Sequence, residues 1–271
     1  MNDCLLVDTH LHSDNSPDGN HSCMFICENA VSMGLKAISI TDHCETDVYY
    51  QDHYDRSTMQ SYFEILKAKE AYRGKLVVLR GIELGEATYN APLAEKIISR
   101  FDYDIVIGSI HNLRETLDFY FMESFEERQA KAYLHTYFDE LIGLADWGKF
   151  DTMAHITYPL RYFYAKSGIY IDMCEYKSQT DELFSLLAEK ELALEINTGG
   201  LRQPLRKLSP EADLVKRFRE LGGKYITFAS DAHYVSDLAY GFSEAMEAAK
   251  YAGFTSCVFY QQHNPMEIPF A

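Results

Sequence analysis

The sequence contains no long hydrophobic run, no C-x-x-C pair and few positive charges. No stretch approaches the roughly 20 apolar residues that a membrane-spanning helix needs, and the N-terminus offers only the short run from Leu5 to Val7, so we expect a cytoplasmic protein. The six cysteines show no disulfide-dense spacing, and a chain of 271 residues does not depend on disulfides for stability. We therefore expect reduced thiols, several of them buried.

Positive charge is scarce because the 25 Lys and Arg residues are outnumbered by 41 Asp and Glu residues, which gives a formal net charge of −16. Such a field repels nucleic acids and anionic membranes, and no basic run offsets it. We therefore expect neither nucleic acid nor membrane as a partner. A small phosphorylated substrate fits only if metal ions and a few arginines reverse the potential locally.

Short apolar runs alternate with helical stretches along the whole chain, and no linker or low-complexity segment interrupts them. This alternation is typical of a parallel sheet surrounded by helices, and 47% hydrophobic residues supply an ample core. We predict one domain over residues 1–271, an α/β barrel of the TIM type with seven strands or, if Ser256–Phe259 joins it, eight. The seven predicted strands are Leu5–Val7, Ala37–Thr41, Leu76–Leu79, Ile105–Ile110, Thr152–Ala154, Ala193–Ile196 and Tyr225–Ala229.

Helices are indicated by capping residues and by apolar side chains at helical spacing. The predicted helices begin and end near Cys23–Met33, Ser57–Gly74, Phe125–Leu144 and Ser209–Gly223. The third carries Tyr133, Tyr137, Phe138, Leu141 and Leu144 on one face, and we expect this aromatic stripe to pack in the core.

Metal-capable side chains follow six of the predicted strands. Strand ends converge at the C-terminal face of a β/α barrel, where active sites are built. A single histidine is more often an ordinary polar residue than a ligand, but the agreement of six strand ends predicts a metal site. These residues are His10, His12, His43, Glu83, His111, His155, Asp231 and His233. The other four histidines, which we expect at the surface, are His21, His53, His135 and His263.

The candidate ligands outnumber the needs of one ion. With Asp18 added there are nine, whereas one ion takes about four, so we expect two or three ions with Glu83 as a bridging carboxylate. Imidazoles and carboxylates suit Zn²⁺, Fe²⁺ or Mn²⁺. Asp14, in the same loop as Asp18, is an alternative ligand, and either aspartate could instead be a turn residue. Cys44 could bind a soft metal, but a small buried side chain is the favoured interpretation.

The sequence resembles the PHP (polymerase and histidinol phosphatase) family over almost its whole length. The matching motifs are His10-Leu11-His12 with Asp18, Thr41-Asp42-His43, Gly81-Ile82-Glu83, Gly108-Ser109-Ile110-His111, Ala154-His155 and Ser230-Asp231-Ala232-His233. The stretch from Leu194 to Arg202 resembles the histidinol-phosphatase branch of that family. This branch implies hydrolysis of L-histidinol phosphate in histidine biosynthesis.

The same resemblance implies a distorted (β/α)₇ barrel with three metal ions. Its ligand sets are His10, His12, Glu83 and Asp231 for the first ion, Glu83, His111 and His155 for the second, and Asp18, His43 and His233 for the third.

Phosphate ester hydrolysis at such a site predicts roles for further residues. A water held between two ions is deprotonated near neutral pH and can attack phosphorus in line. We assign catalytic roles to Glu83, Asp231 and His233, and the proton for the leaving group can come from a metal-held water, Asp231 or a histidine. Substrate binding is assigned to Arg161, Arg202 and His43, with Arg206 and Lys207 as alternative cations for the phosphate.

Three other functions compete with this hypothesis. A metal-dependent amidohydrolase also begins with an H-x-H motif, but it bridges its metals with a modified lysine, whereas Glu83 follows a predicted strand here. A phosphoesterase of the same family acting on a diester, nucleotide or phosphotyrosine would share the metal ligands. A metal-holding protein without activity would show no phosphate release in a colorimetric assay.

Overall fold

Seven parallel strands form a curved sheet in the order in which they occur in the chain. The computed structural model describes residues 6–270. The strands are β1 Val7–Leu11, β2 Ala37–Ile40, β4 Val77–Gly85, β5 Ile105–Ser109, β6 Thr152–Met153, β7 Ala193–Asn197 and β8 Ile226–Ala229, with the short β3 His43–Glu45 paired to the second half of β4. A parallel bridge between Leu11 and Ala232 brings β1 beside the end of β8, so the barrel is nearly closed. The predicted seven-stranded α/β barrel is confirmed.

Eight helices surround the described part of the sheet, and most of them follow a strand. They are α1 Cys23–Met33, α2 Tyr54–Ala71, α3 Ala91–Ile98, α4 Glu127–Trp147, α5 Tyr158–Ser167, α6 Lys177–Glu189, α7 Ala212–Glu220 and α8 Phe242–Tyr251. Helix α1 begins where the Ser22 side chain accepts a hydrogen bond from the Phe25 amide and ends at Gly34, whose φ of +79° favours glycine. No helix among residues 6–270 is long and apolar enough to cross a membrane.

The predicted aromatic stripe of α4 packs in the largest hydrophobic cluster. Tyr137, Phe138, Leu141 and Leu144 are fully buried there, and the partly buried Tyr133 packs against them. Each large side chain buried in this way contributes on the order of 2 kcal/mol, so the stripe stabilises the side of the barrel that α4 covers.

Two strands extend further towards the C-terminal face than the sequence indicated. Strand β1 runs to Leu11, so His10 lies inside it, and β4 runs to Gly85, so Glu83 lies inside it. Leu5, the first residue of the predicted β1, falls outside the described residues. Polar residues continue these strands because partners across the barrel bind them. Asp8, for example, accepts hydrogen bonds from the amide and the hydroxyl of Ser230.

The predicted eighth strand belongs to a separate hairpin. Strands β9 Ser256–Gln261 and β10 Asn264–Pro269 pair with each other in antiparallel fashion and not with the barrel. Val258 and Tyr260 pack against residues of β5 and β7, and the turn at His263 lies beside Asp104 and Asp151, which precede β5 and β6. The hairpin therefore covers the N-terminal end of the barrel.

Among the five cysteines of residues 6–270, four follow the prediction of reduced thiols, and Cys4 lies outside the described residues. Cys23, Cys27 and Cys44 are buried free thiols, and Cys174 is an exposed one. Cys257 is disulfide-bonded, so the prediction of a reduced thiol is wrong for that residue. Cys44 packs in the hydrophobic core because side chains alternate along β3 and its neighbours His43 and Glu45 face the opposite side.

Candidate metal centre

The C-terminal mouth of the barrel brings together all nine candidate ligands predicted from the sequence. The parallel strands deliver eight of them there, because each of the eight lies near the end of a strand or a few residues from it, and the loop after β1 brings Asp18. His43 is the register partner of Glu83 across β3 and β4, which places the two side chains next to each other. Their metal-binding role stays a prediction, but the structure concentrates them in one cluster.

Glu83 lies at the centre of this cluster and is completely buried. Its carboxylate approaches ring nitrogens of five histidines at distances of 2.8 to 3.6 Å. These are His10, His12, His43, His111 and His155. One carboxylate shared by so many imidazoles is the arrangement expected of a bridge between metal ions.

Asp231 is a second carboxylate that approaches several of the histidines. Its Oδ1 lies 3.4 Å from His12 Nε2, 4.0 Å from His10 Nε2 and 3.7 Å from His233 Nδ1. Asp231 has a φ of +53°, a backbone conformation that costs free energy in a residue other than glycine. This strained conformation turns the Asp231 carboxylate towards the imidazoles.

Asp18 and not Asp14 lies against the histidines at the rim of the mouth. The Asp18 carboxylate is 3.0 Å from His233 Nε2 and 3.7 Å from His43 Nε2. Partial burial raises the pKa of Asp18, but the nearby imidazoles of His233 and His43 outweigh it and lower the pKa. The geometry therefore favours Asp18 as the loop ligand.

Several buried donor atoms in the cluster have no hydrogen-bond partner among residues 6–270. They are Oε2 of Glu83, Nδ1 of His43, Nδ1 of His155 and Nε2 of His233. His43 Nδ1 and Glu83 Oε2 approach to 2.8 Å without hydrogen-bond geometry. A buried polar atom without a partner is costly, and a divalent cation would satisfy such atoms.

Within residues 6–270, four groups of side chains can each offer donor atoms that lie within 4.8 Å of one another. Three consist of predicted ligands: His12, His43 and His233; His10, His12 and Glu83; and His43, Glu83 and His111. The fourth joins His111 to Glu45 and Glu86, neither of which was predicted from the sequence as a ligand. The residues present therefore fit divalent metal ions of the Zn²⁺, Fe²⁺ or Mn²⁺ type.

The electrostatics keep the carboxylates ionised. Burial raises the pKa of Glu83, but the charges of His10, His111 and His43 hold it well below its usual range. Burial and the neighbouring charges of His233 and His43 lower the pKa of His12 to about 3, so His12 is neutral at pH 7. Anionic carboxylates and neutral imidazoles are the forms that bind metals.

Three further polar residues orient the imidazoles, and sequence reasoning gave them no role. Glu195 Oε2 lies 2.9 Å from His10 Nδ1, Ser16 Oγ lies 3.1 Å from His12 Nδ1, and Glu45 Oε1 lies 3.2 Å from His111 Nδ1. Such contacts fix which nitrogen faces the metal. The signal that could have found Glu45 is its spacing, since it lies two residues beyond His43 on the same face of β3.

Asp42, inside the Thr41-Asp42-His43 motif, supports the loop after β1 and is not a candidate ligand. It accepts hydrogen bonds from the Ser13 amide at 2.6 Å and from the hydroxyls of Ser13, Ser16 and Ser61 at 2.6 to 2.9 Å. Because Ser16 donates to Asp42, it accepts from His12, which leaves Nε2 of His12 for a metal.

Both predicted phosphate-binding arginines reach the mouth beside Asp231. Arg161, in the first turn of α5, is buried, with Nη1 3.7 Å from Asp231 Oδ2. Arg202 Nη2 donates to the carbonyls of Ser230 and Asp231 at 2.9 and 3.0 Å. Nε of Arg161 and Nη1 of Arg202 are buried without a partner in the described residues, which suits an anionic ligand.

The two alternative cations lie further from the cluster. Lys207 Nζ contacts Glu211 at 2.8 Å and the Tyr170 hydroxyl at 3.0 Å. Arg206 is exposed. The geometry therefore favours Arg161 and Arg202 as the phosphate-binding pair.

Comparisons with known proteins agree with this geometry. Residues 8–199 match the PHP domain. The chain is 30% identical over 253 residues to a probable histidinol-phosphatase of Clostridium acetobutylicum, covering 91% of this chain and 93% of the relative. It is 28% identical to a histidinol-phosphatase of Lactococcus lactis, covering 92% and 91% of the two chains.

Among solved structures, the histidinol phosphate phosphatase of Lactococcus lactis, crystallised with zinc, L-histidinol and phosphate, has the same fold. The TM-score is 0.80 at 24% identity, and the match covers 96% of this chain and 98% of that one. The extent of the sequence matches shows that this chain belongs to the PHP family.

Proposed function

We propose that this protein is a metal-dependent histidinol-phosphatase, which hydrolyses L-histidinol phosphate to histidinol and phosphate. The observation that carries the proposal is the juxtaposition of a buried carboxylate contacted by five imidazoles with two arginines that have unpaired buried nitrogens. Metal cations would satisfy the carboxylate and its imidazoles, and a phosphate anion would satisfy the arginines. The relatives named as histidinol-phosphatases over nine-tenths of the chain support the choice of substrate.

We assign the metal ligands as two or three overlapping sets. Glu83, His10, His12 and Asp231 would hold a first ion, and Glu83 with His111 and His155 would hold a second. Asp18, His43 and His233 form the third. Divalent ions held there supply Lewis acidity and lower the pKa of water, which is the chemistry that ester hydrolysis needs.

The other residues of the mouth position the substrate. The guanidinium groups of Arg161 and Arg202 bind the phosphoryl oxygens from the side of Asp231. His43 and His233, which are partly exposed at the rim, lie where the phosphoryl group enters. Asp231, which lies 3.7 Å from Arg161, and His233, whose Nδ1 lies 3.7 Å from Asp231 Oδ1, are the candidates for transferring a proton to the leaving alkoxide.

The test is a comparison of kcat/KM among phosphate esters. Histidinol phosphate should exceed p-nitrophenyl phosphate, a phosphotyrosine peptide, a nucleoside monophosphate and a diester by at least about tenfold, which is about 1.4 kcal/mol in transition-state binding. If a diester or the phosphotyrosine peptide is the better substrate, the protein is a phosphoesterase of another specificity.

A further inference from the structure

The loop between β5 and α4 forms one wall of the mouth. It begins directly after His111, and the Phe119 amide donates to the His111 carbonyl at 3.2 Å. Lys166 holds the loop from α5 by donating to the carbonyls of Phe119, Tyr120 and Met122. The loop is therefore fixed against the candidate metal centre.

Tyr158 connects the metal cluster to this loop. Its ring centroid lies 5.0 Å from those of both His111 and His155, and its hydroxyl donates to Asp118 Oδ1 at 2.9 Å. The guanidinium of Arg161 lies over the same ring, 4.3 Å from the centroid. Tyr158 thus has the Arg161 guanidinium over the face of its ring and the Asp118 carboxylate at its hydroxyl.

The Asp118 carboxylate has capacity for another donor. Oδ1 accepts from the Tyr158 hydroxyl and from the Tyr120 amide at 2.8 Å. Within residues 6–270, no hydrogen bond or ion pair reaches Oδ2, and the side chain is partly exposed. A carboxylate with a free oxygen, beside a site for a phosphorylated ligand, is suited to a cationic group of that ligand.

We infer that Asp118, held by Tyr158, binds a protonated nitrogen on the alcohol half of the substrate. The inference rests on the proposed function, since histidinol phosphate carries a phosphate at one end and both an ammonium and an imidazole beyond it. Tyr158 then separates the subsite for the phosphate from the subsite for the nitrogen. Asp118 determines specificity and does not take part in the chemical step.

The experiment measures kcat/KM of the metal-loaded wild type, Asp118→Asn and the control Glu123→Gln with four substrates. Glu123 is an exposed carboxylate of the same loop, so its variant reports the effect of charge alone. The substrates are histidinol phosphate, its analogue without the amino group, phenylalaninol phosphate and p-nitrophenyl phosphate.

Asp118→Asn should lower kcat/KM for histidinol phosphate by about tenfold to a hundredfold, mainly through KM, because a charged hydrogen bond is lost. Hydrolysis of p-nitrophenyl phosphate should change by less than about twofold, as should every reaction of Glu123→Gln. If the ammonium is the group bound, phenylalaninol phosphate shows the loss and the deaminated analogue does not. If the imidazole is bound, the order is reversed.

Three results would overturn the inference. An unchanged preference for histidinol phosphate in Asp118→Asn removes the role of Asp118 and leaves the proposed function intact. An equal loss with p-nitrophenyl phosphate shows that Asp118 only supports the loop. A wild type without any preference for histidinol phosphate contradicts the proposed function itself, and the inference with it.

Discussion

Each end of the barrel buries a carboxylate, but the partners of the two carboxylates differ. At the N-terminal end, the buried carboxylate of Asp104 is paired with Arg80 at 2.9 Å and Lys69 at 3.3 Å. At the C-terminal end, the buried carboxylate of Glu83 is surrounded by imidazoles, and its Oε2 has no hydrogen-bond partner in residues 6–270.

This difference separates stability from function. Arginine and lysine carry permanent charges, so the chain itself neutralises Asp104 and the N-terminal end needs nothing from outside. Imidazoles are neutral at ordinary pH unless a carboxylate keeps them protonated, so the mouth requires protons or metal ions to balance its charge. In a β/α barrel, the end with unsatisfied groups is the one where chemistry is expected.

The largest expected effect is that of Glu83→Gln at the mouth. The change removes the shared carboxylate, so we expect loss of bound metal and a fall in kcat of at least about a thousandfold. His155→Ala should cost less, because it removes one bond and not a bridge. Metal analysis and phosphate release on both variants check this order, and a larger loss in His155→Ala would contradict the bridging role.

Replacing the arginines beside Asp231 should have the next largest effect. Arg161→Ala should lower kcat/KM for phosphate esters by roughly tenfold to a thousandfold without changing the metal content, since Arg161 contacts the anion. Arg202→Ala should lower it over the same range. Arg206→Ala, which changes an exposed arginine, is the control. Wild-type rates in both of the first two variants would place the phosphate site elsewhere.

Asp104→Asn at the opposite end should affect stability and not activity. Arg80 and Lys69 would lose their buried partner, and we expect the free energy of unfolding to fall by on the order of 3 kcal/mol. Asp102→Asn, an exposed change two residues away, should have little effect. Denaturant unfolding measures the difference. A loss of kcat per folded molecule in Asp104→Asn would break the division between the two ends.

The smallest expected effect concerns pH at the N-terminal end. The hydrogen bond to Asp151 raises the pKa of His263 above its usual value of 6.5. Protonated His263 therefore stabilises the fold below about pH 6.5, and this contribution is lost as the pH rises through the folded-state pKa. It should not exceed about 1 kcal/mol because the side chain is 53% exposed.

Unfolding of wild type and His263→Gln at about pH 5.5 and about pH 8.5 tests this sign. The free energies of unfolding of the two proteins should differ at the lower pH and become equal at the higher one. His135→Gln removes an exposed imidazole from α4 and serves as the control. A difference that grows with rising pH would contradict the assignment.

The sequence predicted which side chains meet at the mouth better than it predicted the strand boundaries. Alternation of apolar runs and the H-x-H spacing depend on neighbouring residues, so the barrel and its ligand-bearing ends were predictable. The predicted end of β1 came too early in the chain because Asp8 and His10 are polar residues. They continue a buried strand only because partners from β7 and from the end of β8 bind their side chains.

Contacts between distant residues were not predictable in the same way. Glu195 reaches His10 across 185 positions of the chain, and His263 reaches Asp151 across 112. No local pattern distinguishes such residues from ordinary surface charges. His263 was predicted as a surface residue and is exposed, but its sequence neighbours give no sign that it pairs with Asp151 beneath the barrel.

The most direct test of the account is a metal titration of the chelated protein, followed by histidinol phosphate hydrolysis at each step. Activity should be absent without metal and should reach its maximum at two to three Zn²⁺, Fe²⁺ or Mn²⁺ ions per chain, as the ligand sets around Glu83 require. Full activity with at most one bound ion, or with none, would contradict the proposal that the mouth is a multinuclear metal centre.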